Sequence, residues 1–132
     1  TWDRSATVEI NMPMHVQLVS SRSEVKQNKD RLAIQRGPLV YCVEGVDNNG
    51  QAWNIILPQG TKFAATNHAV LTEQVIALRA EVPVVVVSAD GSSVKTEKRT
   101  ITAIPYYSWA NRGPAQMQVW LPTKIKDIKL NY

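Results

Sequence analysis

The residues best suited to chemistry crowd into one stretch. Tyr106, Tyr107, Trp109 and Arg112 put four aromatic or planar groups within seven residues, with Asn111 among them. Aromatic faces beside an adaptable amide can stack on sugar rings or fill a partner's pocket. The same residues can also pack into a core while Arg112 bonds loop carbonyls. Core packing, contact with another domain and sugar binding are the three readings this stretch allows. Other reactive types are sparse. Cys42 is the single cysteine, so neither an internal disulfide nor a multi-cysteine zinc site can form within this chain. It stands between Tyr41 and Val43 with no cationic neighbour in sequence, which predicts a buried, inert thiol. His15 and His68 have no ligand-type partner nearby in sequence; both are expected at surface or internally satisfied positions, and no metal or cofactor site is expected. There is no Gly-x-Ser-x-Gly elbow and no phosphate-binding glycine loop. Glycosidases commonly use two carboxylates about 5–10 Å apart. The chain has 11 acids, and nothing in their spacing selects a pair.

Strands must position these residues, because the dominant hydrophobic period is two. Thr7-Val8-Glu9-Ile10-Asn11-Met12 alternates strictly, Pro13 interrupts, and Met14, Val16 and Leu18 resume the pattern. Alternation sends one set of side chains to a buried sheet face and the other to water. Leu32–Arg36 reads as a strand. Leu39–Val43 is nearly all apolar, as a strand covered on both faces would be. Asp47-Asn48-Asn49-Gly50 signals a reverse turn, and Trp53–Leu57 reads as a strand after it. Thr61–Ala69 could be strand or loop. Ile76–Val82 alternates cleanly, so a strand there is preferred to a short helix. Arg99–Ile104, Met117–Leu121 and Ile125–Leu130 complete the series. Gly37-Pro38 and Gly113-Pro114 are expected to be the turns that set strand direction. About ten short strands with little or no helix predict an all-β fold, an antiparallel β-sandwich of jelly-roll or Ig-like type.

With 132 residues, the chain fits one domain, residues 1–132, with 123–132 as a terminal strand or tail. The net charge of +4 is dispersed. The only local concentration, Lys124, Lys126 and Lys129, has the spacing of a strand's wet face. No nucleic-acid partner is implied. No run approaches the ~20 apolar residues of a membrane span, so no membrane partner is implied either. The chain opens on Thr1-Trp2-Asp3 without an initiator Met, which predicts a piece of a longer polypeptide.

Two long segments carry a resemblance. One runs Leu32-Ala33-Ile34-Gln35-Arg36-Gly37-Pro38-Leu39-Val40-Tyr41-Cys42-Val43-Glu44-Gly45-Val46-Asp47-Asn48. The other runs Ala103-Ile104-Pro105-Tyr106-Tyr107-Ser108-Trp109-Ala110-Asn111-Arg112-Gly113-Pro114 and continues through Met117 to Val119-Trp120-Leu121-Pro122. Together they resemble the C-terminal β-sandwich region of the β-L-arabinofuranosidase-type glycoside hydrolases, family 127 and its relatives, formerly a domain of unknown function. The opening Trp2–Met14 is similar to the strand pair leading into that region. The resemblance implies a parent with a large helical catalytic barrel, in which zinc held by three cysteines and a glutamate binds a cysteine nucleophile. That site cannot lie in a chain with one cysteine, and Cys42 does not match the barrel's paired-cysteine motif. What is implied here is a non-catalytic accessory domain that packs against the barrel and stabilises it, with zinc confined to the barrel. A bacterial periplasmic or secreted parent is implied by analogy. The alternative is a carbohydrate-binding module for plant-type glycans that uses Trp53, Tyr106, Tyr107 and Trp109. Tyr106, Tyr107, Trp109, Asn111 and Arg112 are the candidates for either contact.

Overall fold

The computed structural model describes residues 5–128. It is all-β and antiparallel, with eight strands: β1 Val16–Ser20, β2 Arg31–Arg36, β3 Leu39–Glu44, β4 Ala64–Val70, β5 Glu73–Val87, β6 Val94–Pro105, β7 Met117–Gln118 and β8 Leu121–Pro122. Four 3-10 turns are the only helical elements among the described residues. The strands form one sheet in the order β1-β2-β3-β6-β5-β4, with β7 on β3 and β8 on β2.

Hairpin chemistry sets the local order. β2 and β3 turn on Gly37-Pro38, with Arg36 paired to Leu39. Gly37 has φ +56, as a two-residue hairpin loop with glycine first needs. Its missing Cβ also leaves room for the Met14 Sδ. The β4–β5 hairpin pairs Val70 with Glu73, and its turn residue Leu71 takes φ 55. No glycine or asparagine announces that turn, so the sequence from Thr61 onward is ambiguous.

β5 and β6 are long and change partners along their length. β5 pairs β4 over Glu73–Arg79 and β6 over Leu78–Val87. β6 then hands over to β3, with Ala103, Ile104 and Pro105 opposite Val43, Cys42 and Tyr41. Carrying the β5–β6 register two residues further puts Ile76 opposite Pro105, which has no N–H to donate. The Tyr41 hydroxyl donates to the Ile76 carbonyl instead, at 2.8 Å.

The irregular segment Asn54–Leu57 fills the gap between β5 and β8. Ile55 bridges Val84, and the Leu57 N–H donates to the Pro122 carbonyl at 2.8 Å. Since β8 pairs β2, backbone bonding runs around the main core and gives a sandwich-like closure. That core holds Ile34, Tyr41, Val43, Ile55, Leu57, Leu78, Val82, Ile101 and Leu121. A second cluster covers the opposite face with Cys42, Val70, Val75, Ala77 and Ile104, joined by Trp109, Met117 and Val119. Tyr41, Cys42 and Val43 are all fully buried, so β3 is covered on both faces.

Three expected strands are absent from the described residues. Thr7–Met12 pairs with no strand among the described residues. Trp53–Leu57 keeps only the Ile55 bridge, because its N–H groups are divided among different partners. Ile125–Asp127 is a 3-10 turn, so the expected strand to Leu130 fails at its start; its last two residues, Lys129 and Leu130, lie outside the described residues. The opening Trp2–Arg4 lies outside them too. Eight strands stand where ten were expected, because these three are missing and the expected Met117–Leu121 strand is divided into β7 and β8.

Candidate functional site

The Tyr106–Arg112 stretch begins where Pro105 ends β6. Tyr106–Ser108 forms a 3-10 turn, Ala110 takes φ 65 and Gly113 φ 93, and the chain doubles back onto the end of β3. The stretch does not act as one patch. Tyr106 and Tyr107 point outward at 44% and 63% exposure. Ser108 is buried. Trp109 is half-buried and packs on the second cluster beside Met117. The Tyr106 and Trp109 rings sit 6.1 Å apart, tilted by 34°. The Asn111 amide donates to the Ser108 carbonyl at 3.2 Å and holds the turn.

Arg112 turns inward onto two carboxylates that the sequence did not single out. One guanidinium nitrogen donates to Asp47 Oδ1 at 2.8 Å. The other reaches Glu44 Oε2 at 2.7 Å and Asp47 Oδ2 at 2.6 Å. The Glu44 side chain is 1% exposed, Asp47 8% and Arg112 13%. His68 Nε2, from β4, lies 3.0 Å from Asp47 Oδ1. The Ala110 N–H donates to Glu44 Oε1 at 3.3 Å. Burial pushes the Asp47 carboxyl up, but the Arg112 bonds and charge, with those of His68, outweigh it and hold it below the usual carboxylate range. Arg112 itself is held more firmly protonated by its bonds to Asp47.

Neighbouring bonds extend the same clamp. The Asn48 amide donates to the Glu44 and Thr102 carbonyls and accepts from the Thr102 N–H. Gly45 passes within 2.9 Å (to its absent Cβ position) of the Gly50 backbone, so no side chain fits there. Gln116 accepts from the Ala52 N–H at 3.0 Å. Trp53, 40% exposed, donates its indole N–H to the Met117 carbonyl at 3.3 Å.

This arrangement is suited to holding a loop. Two carboxylates do converge, but on a guanidinium, and Asp47 is kept ionised. Neither is left free as a general acid or base. Cys42 sits in the second cluster with its thiol pushed up to about 12, first by burial and then by the charges of Glu44 and Asp47. A thiol so held is a poor nucleophile and a poor metal ligand. The zinc site implied by the resemblance therefore does not fit this chain's residues. Among the described residues, no three His, Cys, Asp or Glu side chains are placed to hold a metal ion.

An open groove of about 610 Å³ lies elsewhere, lined by Ser20, Arg22, Lys26, Lys29, Arg31 and Thr123 among others. It has no aromatic wall and shares no residue with the clamp. His15 is exposed beside β1. Glu44 is hidden at the end of an apolar strand, and Asp47 reads as a turn residue. The one legible signal for Arg112's role was a lone arginine next to a glycine turn.

Fold and clamp together define an all-β, sandwich-like domain in which Arg112 ties the loop after β6 to Glu44 and Asp47. A family model described as "Glycoside hydrolase family 127 C-terminal domain" matches residues 16–122, and the chain belongs to that family. The chain is 32% identical over 124 residues to the non-reducing end beta-L-arabinofuranosidase of Bifidobacterium longum, covering 86% of this chain and 19% of that protein. A solved GH127 beta-arabinofuranosidase matches with TM-score 0.79 and 31% identity, over 88% of this chain and 18% of its own. A GH127 beta-L-arabinofuranosidase from Geobacillus stearothermophilus T6 matches with TM-score 0.74 and 36% identity, over 83% and 18%. The chain thus spans about a fifth of the length of these relatives.

Proposed function

We propose that this chain is a non-catalytic accessory domain of a glycoside hydrolase acting on L-arabinofuranoside-containing glycans, and that it packs against and stabilises the catalytic helical barrel. The observation that carries the reading is its extent. It matches the C-terminal domain of family 127 and only 18–19% of each β-arabinofuranosidase relative. The clamp is consistent with it, since both Glu44 and Asp47 are taken up by Arg112. The clamp also holds Tyr106 and Tyr107 outward on a fixed turn, a geometry suited to filling a partner's pocket.

Two measurements test this. Incubated with arabinofuranosides, with and without zinc, the chain is expected to release no sugar; turnover would overturn the proposal. In a polypeptide that carries both this chain and the barrel, Tyr107→Ala is expected to lower Tm by several degrees, as loss of a buried interface aromatic would. The same change in this chain alone should leave Tm unmoved. An equal response in both refutes the docking role.

The exposure of Tyr106, Tyr107 and Trp53 favours one second reading, a carbohydrate-binding module. Calorimetric titration with arabino-oligosaccharides separates the two. Saturable binding that Tyr107→Ala abolishes supports the module; no heat at millimolar ligand removes it.

A further inference from the structure

Positive charge is dispersed along the sequence, but the fold gathers much of it at one place. After β1 ends at Ser20, a run of tight turns returns the chain to β2 at Arg31. The Val25 N–H donates to the Arg22 carbonyl at 3.0 Å, the Asn28 N–H to Val25 at 3.1 Å and the Lys29 N–H to Lys26 at 3.2 Å. These bonds shape a loop that carries Arg22, Lys26 and Lys29. Side chains three apart on a 3-10 turn eclipse one another, so Lys26 and Lys29 share a side. The segment after β8 ties down the end of the loop: the Thr123 N–H and hydroxyl both donate to the Asp30 carbonyl at 3.0 Å. Arg31 donates to the Trp120 and Asp127 carbonyls at 3.0 and 3.1 Å. Neither acceptor is charged, so the guanidinium keeps its full charge.

Two grooves meet along this loop. The larger, of about 610 Å³, is the one noted above; the smaller, of about 330 Å³, adds Lys126 and Asp127. Both are lined by Lys26, Lys29, Asp30 and Arg31. Together they set Arg22, Lys26, Lys29, Arg31 and Lys126 against Asp30 and Asp127. Glu24, the other acid of the loop, lines neither. Among the described residues, ion pairs are made by His68, Lys95, Arg99 and Arg112, and by none of these five cations. A cleft lined by one sign of charge raises the local concentration of ions of the other.

We propose that the joined grooves bind an acidic saccharide, a glycan whose sugar units carry carboxylates. The larger groove falls within the range of about 300–1,000 Å³ that small-molecule sites occupy. Besides the cations, its lining offers hydroxyls and amides from Ser20, Ser21, Asn28 and Gln59, which can pair with sugar hydroxyls. Asp30 would repel a bare polyanion, but its carboxylate accepts a hydrogen bond from a sugar hydroxyl. Val25 and Leu32 are the apolar residues of the larger groove, too little to seat the buried anchor that a peptide partner relies on. Without an aromatic wall, a neutral glycan finds no ring to stack on, so charge must supply the affinity. The site shares no residue with the Tyr106–Arg112 turn and is independent of the accessory reading.

Titration of the isotope-labelled chain with tetragalacturonate, followed by amide NMR shifts, tests it. Saturable shifts are expected in Ser20–Arg31 and Thr123–Asp127, with Kd of about 1 mM or tighter. Binding should weaken by about 5-fold or more as salt rises from about 20 to about 200 mM. Lys26→Gln combined with Lys29→Gln, both at exposed sites, should weaken it by about 5-fold or more. Lys95→Gln, which lines neither groove, and Tyr107→Ala should leave it unchanged. No shifts at millimolar tetragalacturonate overturn the proposal. So does undiminished binding by the double lysine variant, or an equal loss on Lys95→Gln, which would mean unspecific charge attraction. Shifts centred on Trp53 and Tyr106–Trp109 instead would move binding to the aromatic face and overturn it too. Tetraglutamate with blocked termini carries the same charge without sugar hydroxyls. Binding as tight as that of tetragalacturonate would assign the grooves to an acidic peptide and overturn the saccharide. The Tyr107→Ala melting measurements report the accessory reading separately, so either can fail without the other.

Discussion

Arg112→Met tests whether the clamp is the main electrostatic anchor of the domain. Methionine keeps most of the side chain's length and removes the charge. Glu44 at 1% exposure and Asp47 at 8% would be left as two buried carboxylates, with only Asp47 keeping a side-chain partner, His68. Breaking a buried pair from one side costs about 3–5 kcal/mol. Arg112 retains 13% exposure, so the lower end, about 3 kcal/mol, is expected after allowing for solvent screening. A domain of this size has about 5–15 kcal/mol in total, so the variant should fold but melt roughly 10–15 °C lower. The pH dependence gives the sharper signature. In the parent, Asp47's folded pKa is depressed, so its contribution is full above the unfolded carboxylate value and is lost as pH falls through the folded one. In the variant, Asp47 loses the Arg112 partner that offsets its burial and favours protonation, so its penalty shrinks as pH falls. The gap between the two proteins should therefore be widest near neutrality and narrow towards pH 4. Urea unfolding followed by circular dichroism at several pH values measures it. A gap under about 1 kcal/mol at pH 7, the scale of an exposed pair, would refute the reasoning. A gap unchanged down to pH 4 would refute it too.

Two further expectations concern the strands that carry the clamp. Gly37→Ala puts a Cβ where Met14 Sδ lies and forces φ +56 on alanine; a loss of about 1–2 kcal/mol is expected by chemical denaturation, and a neutral result would mean the hairpin relaxes freely. Cys42, fully buried with its thiol pushed to about 12, should resist alkylation at pH 8 until urea unfolds the chain, so rapid labelling of the native protein contradicts its placement.

Local chemistry made several features legible. Gly37-Pro38 reads as a turn because glycine accepts the positive φ that the hairpin needs. The unbroken apolar run Leu39–Val43 reads as a strand covered twice, and Tyr41, Cys42 and Val43 are buried on alternate faces. The Ile76–Val82 alternation proves to be part of the fifteen-residue β5. The Leu71 turn was hidden, since a leucine with φ 55 is held by its flanking ladder and not by its own preference. Thr7–Met12 misleads for the converse reason: it has the period of a strand, but a strand also needs a neighbour.

The sequence by itself determined the class of this protein and the two motifs that carry its family. Periodicity and turn residues act over a few positions, and both survive in a linear reading. Only the tertiary structure decided what those elements meet. Arg112 finds Asp47 and Glu44 across 65 and 68 residues, and His68 reaches Asp47 across 21. The Tyr41 hydroxyl serves a carbonyl that Pro105 leaves unserved 35 residues away in sequence. A hydrophobic period states which side of a strand is covered. It does not state by what, because register and partner are set by packing between segments distant in the chain. The stretch that first looked like a chemical site was therefore divided by its fold: Arg112 turned inward to bind Glu44 and Asp47, and Tyr106 and Tyr107 turned out to solvent.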